Sequence, residues 1–169
     1  MFTMEDLKAT QVVNTEIFSP ERSRLAYEMS LMTGPERGVC AERMIYNRLL
    51  ADGWDVKYIG GTNSYDMHIV YKDTIYKIEV KLATYSKKAQ TKKGTVYGYN
   101  FQKIKPHFFN FLFFVFLTPD GLVVKWAKSE DVSRHCYWKK EGASGYNIGA
   151  NSNREICGLE TADFIEFAL

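Results

Sequence analysis

Between Glu36 and Ala51 the apolar residues Val39, Ile45, Tyr46 and Leu49 recur at helical spacing and Gly53 follows as a stop, which predicts a helix. An earlier helix is expected from Pro20 to about Met32, with Ser19 as its cap. The pattern then changes period. Residues 54–59 (WDVKYI) alternate as a strand does, a Gly-Gly-Thr-Asn-Ser turn follows, and residues 65–71 and 75–82 form two extended runs joined by Lys72, Asp73 and Thr74, the mark of an antiparallel hairpin. A polar, Lys-rich loop is expected from 84 to 94, then an aromatic-rich strand (VYGYNF). The apolar run from Phe108 to Leu117 reads as a strand buried on both faces. Pro119-Asp120-Gly121 is a turn, and residues 122–126 form a further strand. Residues 142–153 read as a Gly/Asn/Ser loop, and a short helix is expected after Leu159. A helix, strands in succession and further small elements predict a mixed α/β sheet.

The 169 residues suit a single domain, and 46% hydrophobic with 25% charged residues excludes bulk disorder and a fibrous chain. The longest apolar run is about half the ~20 residues needed to span a bilayer, so no membrane partner is expected. Cys40, Cys136 and Cys157 form no CxxC pair, and no signal peptide is evident. A reducing, cytoplasmic setting is therefore the expectation. No glycine-rich phosphate loop follows a strand, so a nucleotide-binding site lacks its usual cradle.

The segment IYKIEVKLA carries the most chemical information. Alternation puts Tyr76, Ile78, Val80 and Leu82 on one face and Lys77, Glu79 and Lys81 on the other. Glu79 and Lys81 thus stand two residues apart on one face, although the wet face of a half-exposed strand often carries the same pair. Asp66, at the start of the preceding hairpin strand, brings a second carboxylate beside Glu79, with capping of a turn as its alternative role. Two carboxylates and a lysine make an oxygen-rich pocket suited to Mg²⁺, and like charges so placed repel without a cation. Glu42 lies among the apolar stripe of its helix and so points toward the sheet, unless the helix phase is off by one residue and it sits at the stripe's edge. His68 shares the face of Asp66. His135, Cys136 and Cys157 are too irregularly spaced to argue for zinc.

Glu42 on a helix, Tyr65-Asp66 on a strand and Glu79-Val80-Lys81 on the next strand resemble the PD-(D/E)XK nucleases. The resemblance covers residues 36 to about 126, with Tyr65 where proline is common in that superfamily. It implies a restriction-endonuclease-like fold, a mixed central sheet flanked by helices, with residues 1–35 and 127–169 as elaborations of one nuclease domain. It further implies that Asp66, Glu79 and the Val80 backbone carbonyl hold Mg²⁺, with Mn²⁺ as a substitute, and that Lys81 positions or deprotonates the attacking water. Glu42 would bind a second metal or a metal-bound water. Within the superfamily the small size looks most like phage or intron-associated homing endonucleases, type II restriction enzymes and junction resolvases. The implied activity is Mg²⁺-dependent endonucleolytic cleavage of double-stranded DNA. Sequence-specific cutting by a homodimer or higher symmetric oligomer is the leading form. A structure-specific Holliday junction resolvase or repair nuclease is one alternative, and a non-catalytic DNA-binding module is the other.

The formal charge of +2 hides an uneven distribution. Seven of the 22 basic residues (Lys81, Lys87, Lys88, Lys92, Lys93, Lys103 and Lys105) fall between Lys81 and His107, where there is no Asp or Glu, so that segment carries +7 against −5 on the remainder. Tyr85, Tyr97, Tyr99 and Phe101 interleave with the lysines, and Asn100 and Gln102 stand among them. The expected DNA-binding residues are Lys87, Lys88, Lys92, Lys93, Tyr97, Tyr99, Gln102, Lys103 and Lys105. If about five of these lysines met phosphates, log K would fall with log salt at a slope near −4 to −5.

Overall fold

The computed structural model describes residues 26–61, 63–119 and 121–169. Within them the chain folds as a mixed α/β structure built on a six-stranded sheet, ordered β1 (Asp55–Tyr58), β2 (Met67–Tyr71), β3 (Thr74–Thr84), β6 (Phe111–Leu117), β7 (Leu122–Lys128) and β9 (Ala162–Asp163). A second, three-stranded sheet holds β4 (Ser86–Thr91), β5 (Gly94–Ile104) and β8 (Tyr146–Asn151). Helix α1 (Gly34–Ala51) and helix α2 (Ser129–Cys136) complete the main elements. The part of the expected first helix that is described is helical over 26–30, and its start lies outside the described residues.

Local chemistry accounts for the boundaries that matter. Thr33 caps α1 by accepting from the Glu36 N–H while the Glu36 carboxylate accepts from the Thr33 N–H, a reciprocal box that satisfies two otherwise orphaned donors. The β2–β3 hairpin turns through Lys72 and Asp73, both at positive φ, as a two-residue primed turn requires. β3 and β6 run parallel, and parallel strands need a long crossover. Here the crossover is itself β-structure. The chain leaves β3, forms the β4–β5 hairpin over one face of the large sheet, and returns as β6.

Two cores result, one on each face. Cys40, Ala41, Met44, Ile45 and Leu49 of α1 pack on Ile78, Val80, Phe111, Phe113 and Val115. On the opposite face Leu112, Phe114 and Phe116 meet Tyr99 and Phe101 of β5, Ile148 and Ala150 of β8, and Val132 and Cys136 of α2. All seven residues of β6 are buried, which is the expected reading of that apolar run, although the strand begins at Phe111 rather than Phe108.

Several expectations are corrected. The Lys-rich loop is in large part the strand β4, all six of whose residues are exposed. Residues 146–151 of the expected loop form β8, and the C-terminal segment is the short strand β9 followed by a single 3-10 turn at Phe164–Glu166. Helix α2 has no counterpart among the expected elements. Val39 is exposed, because the buried stripe of α1 runs through Cys40, Ala41 and Met44, one position later.

Candidate active site

Ile78 and Val80 point into the α1 core, so β3 turns Glu79 and Lys81 to its other face, as alternation requires. Their side chains meet directly, with Lys81 Nζ 2.6 Å from Glu79 Oε1. Both remain partly open to solvent.

Asp66 is held by main-chain contacts on both sides. Its N–H donates to the Ile78 carbonyl at 3.0 Å, and its own carbonyl accepts from the Ile59 and Gly60 N–H groups at 2.8 and 2.9 Å. Gly60 turns at φ +60, and a β-carbon there would lie 2.6 Å from the Tyr58 ring, so glycine is needed for the turn and for the ring's position. The Asp66 carboxylate then folds back on β3, where Oδ2 accepts from the Val80 N–H at 2.7 Å. Glu42 reaches the same place from α1, its Oε2 accepting from the Tyr58 hydroxyl at 2.7 Å. The Arg43 guanidinium lies over the Tyr58 ring, 3.6 Å from its centroid.

The three carboxylates act on one another electrostatically. Burial raises the Asp66 carboxyl well above the usual range, with the charges of Glu79 and Glu42 adding to the effect; the Val80 hydrogen bond and Lys81 oppose it. Burial also raises Glu79, against the lowering effect of Lys81. The Tyr58 hydroxyl is pushed up to about 12 by burial and by its bond to Glu42. Such a cluster favours a proton or a cation between its oxygens. Asp66 and Glu79 form its centre, and Glu42 interacts with both. Among the described residues no three His, Cys, Asp or Glu side chains stand close enough to ligate a single ion, which leaves Glu42 beside the pair and gives His135, Cys136 and Cys157 no metal-site geometry.

Lys81 stands between two cavities. One, of about 560 Å³, is lined by Arg37, Lys81, Lys87, Lys88, Asn100 and Gln102 among others. The other, of about 380 Å³, is lined by Asn63, Glu79, Lys81, Lys103, Lys105 and Phe108 among others. The structure therefore brings Lys87, Lys88 and Gln102 to a cavity that Lys81 also lines, and Lys103 and Lys105 to the one shared by Glu79 and Lys81. Lys92 and Lys93 occupy the tip of the β4–β5 hairpin, about 20 Å further along at the rise of a strand. Tyr97 is 43% exposed and stacks on Tyr85 with ring centroids 5.3 Å apart.

Two expected surface aromatics are corrected. Tyr99 is 1% exposed and packs edge-on against Phe116 at 4.9 Å, and Phe101 is fully buried against Phe114 and Phe116. Neither ring can touch a ligand. His68 contacts Tyr65, its Nδ1 3.4 Å from the Tyr65 hydroxyl. Tyr58 and Arg37 are parts of the site that sequence reasoning missed. For Tyr58 a signal existed, since alternation puts it on the face of Val56, toward α1.

No protein-family model matches the chain, and no curated protein matches it. Among solved structures the chain is similar to a bacterial homing endonuclease, I-Ssp6803I, at 17% identity over 72% of this chain and 78% of that one, with a TM-score of 0.46.

Proposed function

We propose that this protein is a divalent-cation-dependent DNA endonuclease that hydrolyses phosphodiester bonds at Asp66, Glu79 and Lys81. The observation that carries the reading is the pairing of Glu79 with Lys81 beside the Asp66 carboxylate, itself held on the same strand by the Val80 N–H, between two cavities lined by further cations. Apart from that lysine the central donors are all oxygens, which fits Mg²⁺ or Mn²⁺ and not a soft metal. Asp66, Glu79 and, by the family resemblance, the Val80 carbonyl would hold the ion, with Glu42 beside them. When bound, the ion supplies charge to stabilise the anionic transition state and a more acidic water.

The protein's own groups have separable tasks. The ammonium of Lys81, fixed by Glu79, orients the attacking water and offsets charge on the phosphoryl oxygens. Water oxygen bonds to phosphorus, releasing one proton to solvent, as the bond from phosphorus to the 3′-oxygen breaks. The 3′-oxygen takes up a proton, leaving a 5′-phosphate and a 3′-hydroxyl, the polarity implied by the resemblance. Glu42 is held by Tyr58 so that its charge bears on Asp66 and Glu79 without displacing them. Lys87, Lys88, Lys103 and Lys105 bind the backbone on either side.

The described residues hold one such cluster, so cutting both strands calls for two copies, and a symmetric homodimer acting on a two-fold related target is the form we favour. The test is to incubate the protein with Mg²⁺, a mixed duplex library and a four-way junction, and to sequence the ends. Recurrent ends at one duplex sequence support a sequence-specific enzyme. Cutting confined to the junction selects a resolvase, and binding without any new ends contradicts the enzyme reading.

A further inference from the structure

Lys88 owes its position to one departure from regular strand pairing and to the room left by neighbouring glycines. Lys87 pairs with Tyr97 and Ala89 pairs with Val96, so β4 carries one extra residue, and that residue is Lys88. A bulge of this kind re-aims the side chain it contains. The Lys88 chain then runs across the neighbouring strands over two glycines. A β-carbon at Gly98 would lie 2.4 Å from the Ala150 carbonyl oxygen and 2.6 Å from Lys88 Cδ, and one at Gly149 would lie 2.6 Å from Lys88 Nζ. Neither glycine has a positive φ, so what each provides is room and not an unusual backbone. Glycine within a strand weakens it, and pinning a lysine costs rotamer freedom as well. The Ala150 carbonyl alone accounts for Gly98, whereas Gly149 has only Lys88 as a close neighbour, and a lysine serving only as a solvated charge does not need it.

Lys88 is one of the residues that line the larger cavity. Lys88 Nζ lies 3.4 Å from the Ala150 carbonyl, and Arg37, Lys81 and Lys87 line the same space with Asn100 and Gln102. No carboxylate lines it. The ion pairs among the described residues include neither Lys88 nor Arg37, and Arg37 spends one Nη on the Thr84 hydroxyl at 3.3 Å. Cations with hydrogen-bonding amides and no acid are the complement of a phosphate.

We propose that this cavity is a phosphate subsite, in which Lys88 and Arg37 grip a phosphodiester of the substrate backbone next to the one being cut, so that Lys81 meets the scissile group in register. The subsite rests on the nuclease reading and adds to it a positioning role for Lys88, with Gly149 as the part of its track that sets its reach.

Gly149→Ala gives a clean test, because its new methyl meets only the movable end of Lys88, the next neighbours being 3.7 Å away or more. Duplex binding is measured by fluorescence anisotropy across a salt series, in EDTA to prevent cutting, for wild type, Lys88→Met, Gly149→Ala and the double variant. Lys88→Met keeps the aliphatic stem and removes the charge. The expected result is that both single variants weaken binding several-fold, and that Lys88→Met also flattens the salt slope by about 0.9. The double variant should be no weaker than Lys88→Met. Unfolding temperatures, and pyrophosphate as a free ligand, are followed in parallel. Wild-type affinity in Gly149→Ala with its fold intact, or effects that multiply in the double variant, would overturn the track. Should Gly149→Ala not fold, wild-type affinity and slope in Lys88→Met would overturn the subsite. Pyrophosphate binding that depends on Lys88, with duplex affinity indifferent to both variants, overturns the backbone assignment. Absence of salt-dependent duplex binding by the wild type overturns the nuclease reading, and the subsite with it.

Discussion

The Val80 N–H donates to Asp66 Oδ2 at 2.7 Å, so the strand that carries Glu79 and Lys81 also fixes the carboxylate opposite them. Substituting Asp66 by Asn preserves an acceptor for that N–H and removes the charge that repels Glu79. The two halves of the site can therefore be perturbed electrostatically without dismantling it.

The raised carboxyls give stability a pH dependence of known sign. Ordinary values are 3.8 for Asp66 and 4.5 for Glu79, and both are higher in the folded chain, so the folded state keeps protons that the unfolded state has released. Stability from these groups is fully present below the ordinary values and declines as pH rises toward the folded ones. Calorimetry in EDTA should show the unfolding temperature falling from about pH 5 to about pH 8. Mg²⁺ should restore more at the upper end, about 2.7 kcal/mol when it stands at a hundred times its dissociation constant. Asp66→Asn should flatten the pH trend and blunt the Mg²⁺ response. An equal Mg²⁺ effect in that variant would count against these ligands.

Tyr58→Phe removes the hydroxyl that holds Glu42. A half-buried carboxylate loses its donor, at a cost of about 1 kcal/mol, and its charge is freed to crowd Asp66. Cleavage titrated with Mg²⁺ should show a half-saturating concentration raised several-fold with little change at saturation. A lower plateau with unchanged half-saturation would place Tyr58 in a different role.

Lys103 sits at φ 59 beside a register shift in β5 and lines the cavity shared with Glu79 and Lys81. A left-handed conformation disfavours a lysine and suits glycine. Lys103→Gly should therefore stabilise the fold by up to about 1 kcal/mol in denaturant titration while weakening duplex binding and flattening its salt slope by about 0.9. Stabilisation with unaltered binding would remove Lys103 from the interface.

The chain's three thiols should differ in reactivity. Burial pushes Cys40 up to about 12 and also raises Cys136, whereas Cys157 is exposed. A disulfide reagent should titrate one thiol quickly in the folded protein and all three after denaturation. Fast reaction of two or more thiols in the native state would contradict the packing described for α1 and α2.

How much of this was legible depended on whether packing wrote itself into spacing. β3 shows its two faces through Ile78 and Val80 against Glu79 and Lys81, and the site followed from them. β6 reads as buried because every residue is apolar. β4 (SKKAQT) buries nothing, so only its main-chain pairing with β5 makes it a strand, and no side-chain pattern could report that. Ile148 and Ala150 are the buried positions of β8, and the Gly and Asn around them gave a loop signal that pairing with β5 overrides. Tyr99 and Phe101 sit in a lysine-rich stretch and read as surface residues; alternation put them on one face, but only the fit against Phe114 and Phe116 decides that this face is the core. Lys88 could not be placed from sequence at all, since a bulge and the room left by a glycine of another strand set its course.

The central claim is that Asp66, Glu79 and Lys81 form a cation-dependent phosphodiesterase site, and plasmid cleavage tests it most directly. Supercoiled DNA is incubated with wild-type protein in Mg²⁺ or in EDTA, and with Asp66→Asn, Glu79→Gln and Lys81→Ala in Mg²⁺, each shown by its unfolding transition to be folded. Nicked or linear product is predicted with wild type in Mg²⁺ only, with rates in every variant lower by at least about a hundredfold. Full cleavage by Asp66→Asn or Glu79→Gln, or by wild type in EDTA, would contradict the account.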